Sequence, residues 1–151
     1  MREESLRVLM IEDSEDDALL VIRELKKGGY NTLLERVETS SDMAKALKDK
    51  QWDVIICDYH LPKFNASSAI FLLKEENLDI PLIVVTGAVG EEAAVECMHL
   101  GAKDYIMKSN LSRLCPAIAR ELEEVKVRYK QRLAEAQRES ILDELRKNEE
   151  R

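Results

Sequence analysis

Five polar side chains, Glu12, Asp13, Asp58, Thr86 and Lys108, each stand at or just after the end of a short apolar run. Brought together they make three carboxylates, one hydroxyl and one ammonium. Carboxylates about 4 Å apart repel by roughly 4 kcal/mol per pair at an effective dielectric near 20, so such a cluster is tolerable around a hard cation. A few carboxylates plus water suit Mg²⁺, which coordinates octahedrally and keeps several waters. Singly, each residue has a plainer reading. Asp13 would stabilise a helix N-terminus through the macrodipole, Thr86 would end a strand, and Lys108 would be a solvated charge. The set gains meaning only if the elements that carry it converge.

Those elements are legible. Apolar runs at Val8–Ile11, Thr32–Val37, Val54–Cys57, Leu82–Val85 and Tyr105–Met107 predict five strands. The first, third and fourth are continuous, as in central parallel strands buried on both faces, and the mixed second suits an edge. Between them, helical spacing places Ala18, Leu19, Ile22 and Leu25 on one face of Asp16–Lys27, which stops at Gly28-Gly29. Ser14 with Asp17 three residues on resembles a capping box. Further helices are expected over Ser41–Lys50 behind a serine cap (Met43, Ala44, Leu47), Ala66–Glu76 (Ala69, Ile70, Leu72, Leu73) and Glu91–Leu100 (Ala94, Val95, Met98). Strands alternating with helices of about ten residues predict an α/β fold, a doubly wound five-stranded parallel sheet. Ligands of such sheets bind beyond the carboxyl ends of the strands, where strand order reverses. All five polar residues fall there.

The runs Leu-Met-Ile-Glu-Asp-Ser at 9–14, Ile-Ile-Cys-Asp-Tyr-His-Leu-Pro at 55–62, Val-Val-Thr-Gly at 84–87 and Gly-Ala-Lys-Asp-Tyr-Ile-Met-Lys at 101–108 resemble the motif blocks of response-regulator receiver domains. The resemblance implies a flavodoxin-like strand order, 2-1-3-4-5. It implies that Asp58 is a phospho-acceptor and that Asp13, Asp58 and the backbone carbonyl of His60 bind Mg²⁺, with Glu12 acting through water. Lys108 would neutralise phosphoryl oxygens, Thr86 would bond the attached phosphate, and Tyr105 would be a switch aromatic responding to Thr86. The donor would be a histidine kinase or a phosphotransfer protein. Phosphoryl transfer asks for positioning and charge neutralisation with little acid–base help, which suits this set.

Three departures from the family pattern stand out: Glu12 where Asp is common, Ala66 where Gly is usual, and Ser109 where a proline often follows the lysine. The peptide before Ser109 is expected trans, since a cis bond there would cost about 2.5–4 kcal/mol. Ala88, two residues after Thr86, cannot orient an attacking water, so the implied aspartyl phosphate is expected to be long-lived. A haloacid-dehalogenase-type phosphatase uses the same residue types but needs a second Asp two residues after the nucleophile, where His60 stands. A phosphorylation-independent, dimerising scaffold receiver is the other alternative. His60 itself, a lone loop histidine, is not a convincing phosphate carrier.

Composition bounds the rest. The 151 residues allow one well-buried domain, and 45% hydrophobic with 35% charged residues suits a globular chain. A net charge of -7 disfavours a nucleic-acid surface, and no apolar run approaches the roughly 20 residues of a membrane helix. The start lacks a signal-peptide core, and Cys57, Cys97 and Cys115 lack metal-site spacing, so a cytoplasmic location with reduced thiols is expected.

After Asn110 no glycine occurs, and Ile118, Leu122, Val125, Tyr129, Leu133 and Ala136 follow one another at three or four residues. One helix of about 35–40 residues is expected, some 50–60 Å long. The receiver would occupy residues 1–125 and a projecting linker 126–151. The projecting stripe is either solvated and held by charge pairs or paired in a two-chain coiled coil, a homodimer, although the 125–129–133 step breaks a strict heptad. The C-terminal stretch also resembles the helical linkers that join N-terminal receivers to PAS sensory domains ahead of histidine kinase or diguanylate cyclase modules. On that reading the chain is part of a longer protein; otherwise it is a single-domain regulator.

Overall fold

The computed structural model describes residues 5–59, 61–87 and 90–149. Expectations that fall on His60 and Ala88 lie outside those residues. Five strands, β1 (Ser5–Ile11), β2 (Asn31–Val37), β3 (Val54–Cys57), β4 (Leu82–Thr86) and β5 (Asp104–Met107), form one parallel sheet in the order β2-β1-β3-β4-β5. The helices are α1 (Glu15–Lys27), α2 (Ser40–Asp49), α3 (Ala66–Glu75), α4 (Glu91–Leu100) and α5 (Leu114–Glu149), with a 3₁₀ segment over Lys108–Arg113 leading into α5.

Successive strand side chains point to opposite faces, so two cores form. Val8, Met10, Val54, Ile56, Ile83, Val85 and Ile106 meet α1 and α5 on one face. Leu9, Ile11, Ile55, Cys57, Leu82 and Val84 meet α2, α3 and α4 on the other. Every side chain of β3 and β4 is buried, and the half-exposed β2 is the edge expected of it.

Caps define the helix starts. Ser14, Thr39 and Asn65 accept the backbone N–H three residues on, from Asp17, Asp42 and Ser68, at 3.2, 3.1 and 2.9 Å. Each such cap contributes about 1 kcal/mol. The cap of α2 is therefore Thr39 rather than the expected serine. At the end of α1, Gly29 takes φ +90°, and a side chain on Gly28 would run into Cys115 of α5. Two glycines thus serve separate needs, a turn and a close approach.

Two helix faces differ from expectation. α1 buries Ala18, Val21 and Leu25, and leaves Leu19 48% exposed. Residues 18–22 are apolar all round, so periodicity could not choose a face there. α4 buries only Cys97, with Val95 68% and Met98 44% exposed. A free cysteine behaves as a small hydrophobe, and here it is the docking residue.

α5 runs 36 residues without a break, about 54 Å at 1.5 Å per residue. Pro116 is its third residue, where a missing N–H costs nothing. Leu114, Ala117, Ile118 and Glu121 are buried, and every described residue from Tyr129 onward is exposed. Beyond the packed turns, Arg128 grips Asp79 with two 3.0 Å hydrogen bonds, and Arg132 lies 3.5 Å from the same carboxylate. No described peptide bond is cis, and no described helix is long and apolar enough to cross a membrane.

Candidate functional site at the carboxyl edge of the sheet

Parallel pairing sets the site. Ile11 is level with Cys57 across β1 and β3, so the next residues, Glu12 and Asp58, leave the sheet side by side. The Asp58 N–H donates to the Ile11 carbonyl at 3.0 Å, which fixes the turn at that point. Thr86 ends β4 level with Met107, and Lys108 follows one residue later. Thr86 is 3% exposed.

The Lys108 ammonium is the hub. It donates to Glu12 Oε1 at 2.8 Å, Asp17 Oδ2 at 2.6 Å and Asp58 Oδ2 at 3.0 Å. Burial disfavours its charge, but the hydrogen bonds to Asp17, Glu12 and Asp58 outweigh that and raise its pKa above the ordinary value. Glu12 is 4% exposed, and its carboxyl is pushed up to about 7, first by burial and then by the Asp58 charge, against the opposing pull of Lys108. One Glu12 oxygen also accepts the Ser14 N–H at 3.3 Å, and the Glu12 carbonyl accepts from Arg36 at 3.0 Å. A single ammonium facing three carboxylates leaves the cluster under-neutralised.

The sequence-predicted residues divide here. Glu12 and Asp58 both contact Lys108, and Thr86 stands at the same sheet edge. Asp13 is exposed and has no side-chain partner among the described residues. Asp17, outside the expected set, adds its carboxylate to those of Glu12 and Asp58. The capping pattern was half right: Ser14 receives the Asp17 N–H, while the Asp17 side chain turns to Lys108 instead of back to the cap. Only its place in the first turn after β1 could have pointed to it.

The donor set fits a hard divalent cation. Glu12, Asp17 and Asp58 each present one carboxylate oxygen, all within 4.8 Å of one another, and oxygen-only ligands suit Mg²⁺. Chemically, the arrangement is a half-buried carboxylate, Asp58, held beside a fixed cation. A carboxylate so placed can serve as a nucleophile whose product charge would be met locally.

Tyr105, level with Val84 of β4, is half-buried against the core on the α2, α3 and α4 face of the sheet. Its hydroxyl oxygen is enclosed with no hydrogen-bond partner among the described residues, and burial pushes its pKa up to about 12. Its carbonyl accepts from Arg113 at 3.3 Å, and Asp104, at the start of β5, pairs with both Arg113 and Arg120.

The family model of the response regulator receiver domain matches residues 8–119. The alkaline phosphatase synthesis transcriptional regulatory protein PhoP of Bacillus subtilis is 30% identical over 105 residues, 68% of this chain and 42% of that protein. The transcriptional regulatory protein ZraR of Salmonella typhimurium is 26% identical over 101 residues, 67% of this chain and 22% of that protein. The chain thus spans less than half the length of these relatives. Among solved structures, the signal receiver domain of a protein described as a LuxO repressor from Vibrio parahaemolyticus superposes with a TM-score of 0.72 at 26% identity, covering 83% of this chain and 95% of that one. A receiver domain protein from Clostridium thermocellum shares the fold, with a TM-score of 0.70 at 22% identity over 81% of this chain and 98% of that one.

Proposed function

The chain belongs to the response regulator receiver domain family, and from that premise we propose that Asp58 accepts a phosphoryl group from a phosphohistidine on a histidine kinase or phosphotransfer protein. The observation that carries this reading is the Lys108 ammonium, 3.0 Å from the Asp58 carboxylate at the carboxyl edge of the sheet. An Asp58 oxygen attacks phosphorus, an O–P bond forms, the donor's N–P bond breaks, and its electron pair returns to the imidazole nitrogen. Lys108 meets the charge of the phosphoryl oxygens, and Thr86 offers a hydroxyl to them. The chain is a signalling module, turning over only its own phosphate.

Asp13 and Asp58, with the backbone carbonyl of His60 and with Glu12 through water, would hold Mg²⁺, and Asp17 is near enough to join them. The ion would neutralise phosphoryl charge. Glu12, pushed up to about 7, favours this assignment: its charge is poorly compensated by Lys108 alone.

Output is proposed to run through Tyr105 and α5. A phosphate on Asp58 brings roughly -1.5 to -2 charges and new acceptor oxygens. Thr86 drawn toward them vacates space that the Tyr105 ring can enter. Arg113 and Asp104 tie that strand to α5, whose exposed stripe pairs with a second copy and leads toward any downstream PAS, kinase or cyclase module. A cytoplasmic site follows from such a donor.

Incubation with a small acyl phosphate, with and without Mg²⁺, followed by intact mass, tests the proposal. One phosphate per chain, dependent on Mg²⁺, is the expected result. A chain that never gains mass is a phosphorylation-independent scaffold.

A further inference from the structure

We propose that the exposed half of α5 pairs with α5 of a second copy in the antiparallel sense, about a two-fold axis near Glu135. The inference rests on the reading of α5 as an interaction helix and goes further, to the partner's direction.

The charge order along the helix carries it. Glu123 and Glu124 are followed by Lys-Val-Arg-Tyr-Lys-Gln-Arg at 126–132, which has four cations and no anion. Residues 135–144 then hold Glu135, Glu139, Asp143 and Glu144 against one cation, Arg138, and Arg146 and Lys147 follow. The blocks alternate, acidic, basic, acidic, basic. Two parallel helices in register would set each block against its own copy. Reversed about residue 135, the basic run 126–132 faces Glu139, Asp143 and Glu144, and Glu123 and Glu124 face Lys147 and Arg146, while Glu135 meets its own copy and Arg138 meets Arg132. Charges flanking an apolar seam are what select partner direction in paired helices, and like charges four residues apart, as at Lys126 and Lys130, destabilise an isolated helix.

Apolar pairing is centred on the axis, because Ser140, Asp143 and Lys147 continue the same face beyond Ala136. Leu122, Val125, Tyr129, Leu133 and Ala136 recur every three or four residues and lie on one face. Tyr129 is 59% and Leu133 49% exposed. Reversal brings Leu133 against the small Ala136 of the other helix on both sides of the axis, which lets the helices approach closely. Tyr129 then meets Ser140, Lys126 meets Glu144, and Arg132 meets Glu139. Arg128 already has Asp79 within its own chain, and Arg132 lies 3.5 Å from the same carboxylate.

The partner's helix end would lie over the groove of about 490 Å³ between α5 and the amino ends of β1 and β3, lined in part by Leu122, Val125 and Tyr30. That places each chain's last described turns beside the other chain's receiver.

Cysteine pairing decides direction. In full chains carrying Cys115→Ser, Tyr129→Cys and Ser140→Cys are made separately, since both positions lie on the seam in either direction. The antiparallel pair gives a disulfide dimer when the two variants are mixed and at least tenfold less from either alone. Self-linking of each variant at equal yield overturns the inference while leaving a dimer. Sedimentation of the unmodified chain as a monomer at high concentration overturns pairing altogether. Acyl-phosphate labelling of Asp58, read on the same chains, reports on the receiver reading independently. Glu139→Lys with Glu144→Lys should weaken association at least tenfold, and adding Lys126→Glu with Arg132→Glu should restore it. Failure to restore also overturns the proposed register.

Discussion

Lys108 and Asp58 are fifty residues apart in sequence and 3.0 Å apart in the fold, and the same ammonium holds Glu12 and Asp17 at 2.8 and 2.6 Å. Lys108 is therefore both a proposed partner of the phosphoryl group and the cation that lets three carboxylates share a partly buried edge. Those two roles give opposite effects on substitution, which makes the residue informative.

Replacing Lys108 with Met should abolish phosphorylation of Asp58. It should also strengthen Mg²⁺ binding by about tenfold or more, because a competing positive charge has left the cluster. Without divalent metal the variant should be less stable by about 2 kcal/mol, the cost of leaving buried charges unpaired. Acyl-phosphate labelling read by intact mass, metal titration followed by intrinsic fluorescence, and urea melts in chelator would measure all three. Unchanged Mg²⁺ affinity would mean that Lys108 and the ion do not share these ligands.

Asp58→Asn should leave the fold intact and eliminate acyl-phosphate labelling, since an amide is neither nucleophile nor anionic ligand. Full-stoichiometry labelling of the variant, read by intact mass, would show that another residue accepts the phosphate.

The enclosed Tyr105 hydroxyl has no hydrogen-bond partner among the described residues, and an unsatisfied buried polar group costs about 1–3 kcal/mol. Tyr105→Phe should therefore stabilise the unphosphorylated chain by about 1 kcal/mol in denaturant melts. A destabilised variant would indicate a partner for that hydroxyl.

Asp79 tests the anchoring of α5. Its carboxyl is held below its ordinary 3.8, first by the Arg128 hydrogen bond, with burial opposing. A depressed carboxyl contributes stability that is present above its unfolded pKa and lost as pH falls through its folded one. Asp79→Asn should thus cost about 1 kcal/mol at pH 7, with the difference from the parent chain shrinking below about pH 4. Hydrogen exchange should also quicken in α5 beyond Leu122. A stability gap independent of pH would remove the ion pair as its cause.

If Ala88 leaves no side chain to orient water, as its type implies, the phosphorylated chain should persist for many minutes, and Ala88→Glu should shorten that lifetime. Decay within seconds in the parent chain would count against this.

The sequence alone determined the sheet and the edge at which its polar residues gather. Runs such as Val54–Cys57 and Leu82–Val85 are continuous because both of their faces are covered, and a parallel sheet sends every strand's following residue to the same side. That is why the sequence places Glu12, Asp58, Thr86 and Lys108 together. The strand order was carried by family resemblance, and α5 by its periodicity and lack of glycine.

Tertiary structure decided what local pattern leaves degenerate. Residues 18–22 are apolar around the whole helix, so only packing against β1 and α5 selected Val21 over Leu19. α4 offered Val95 and Met98 to the eye, yet docks through Cys97. At the site, the types of Asp13 and Asp17 are identical and both follow β1 closely. Their roles in the ion-pair cluster diverge because one leaves the sheet toward solvent, while α1 turns the other back over Lys108. A carboxylate's chemistry is written in the sequence, but its distance from a cation belongs to the fold.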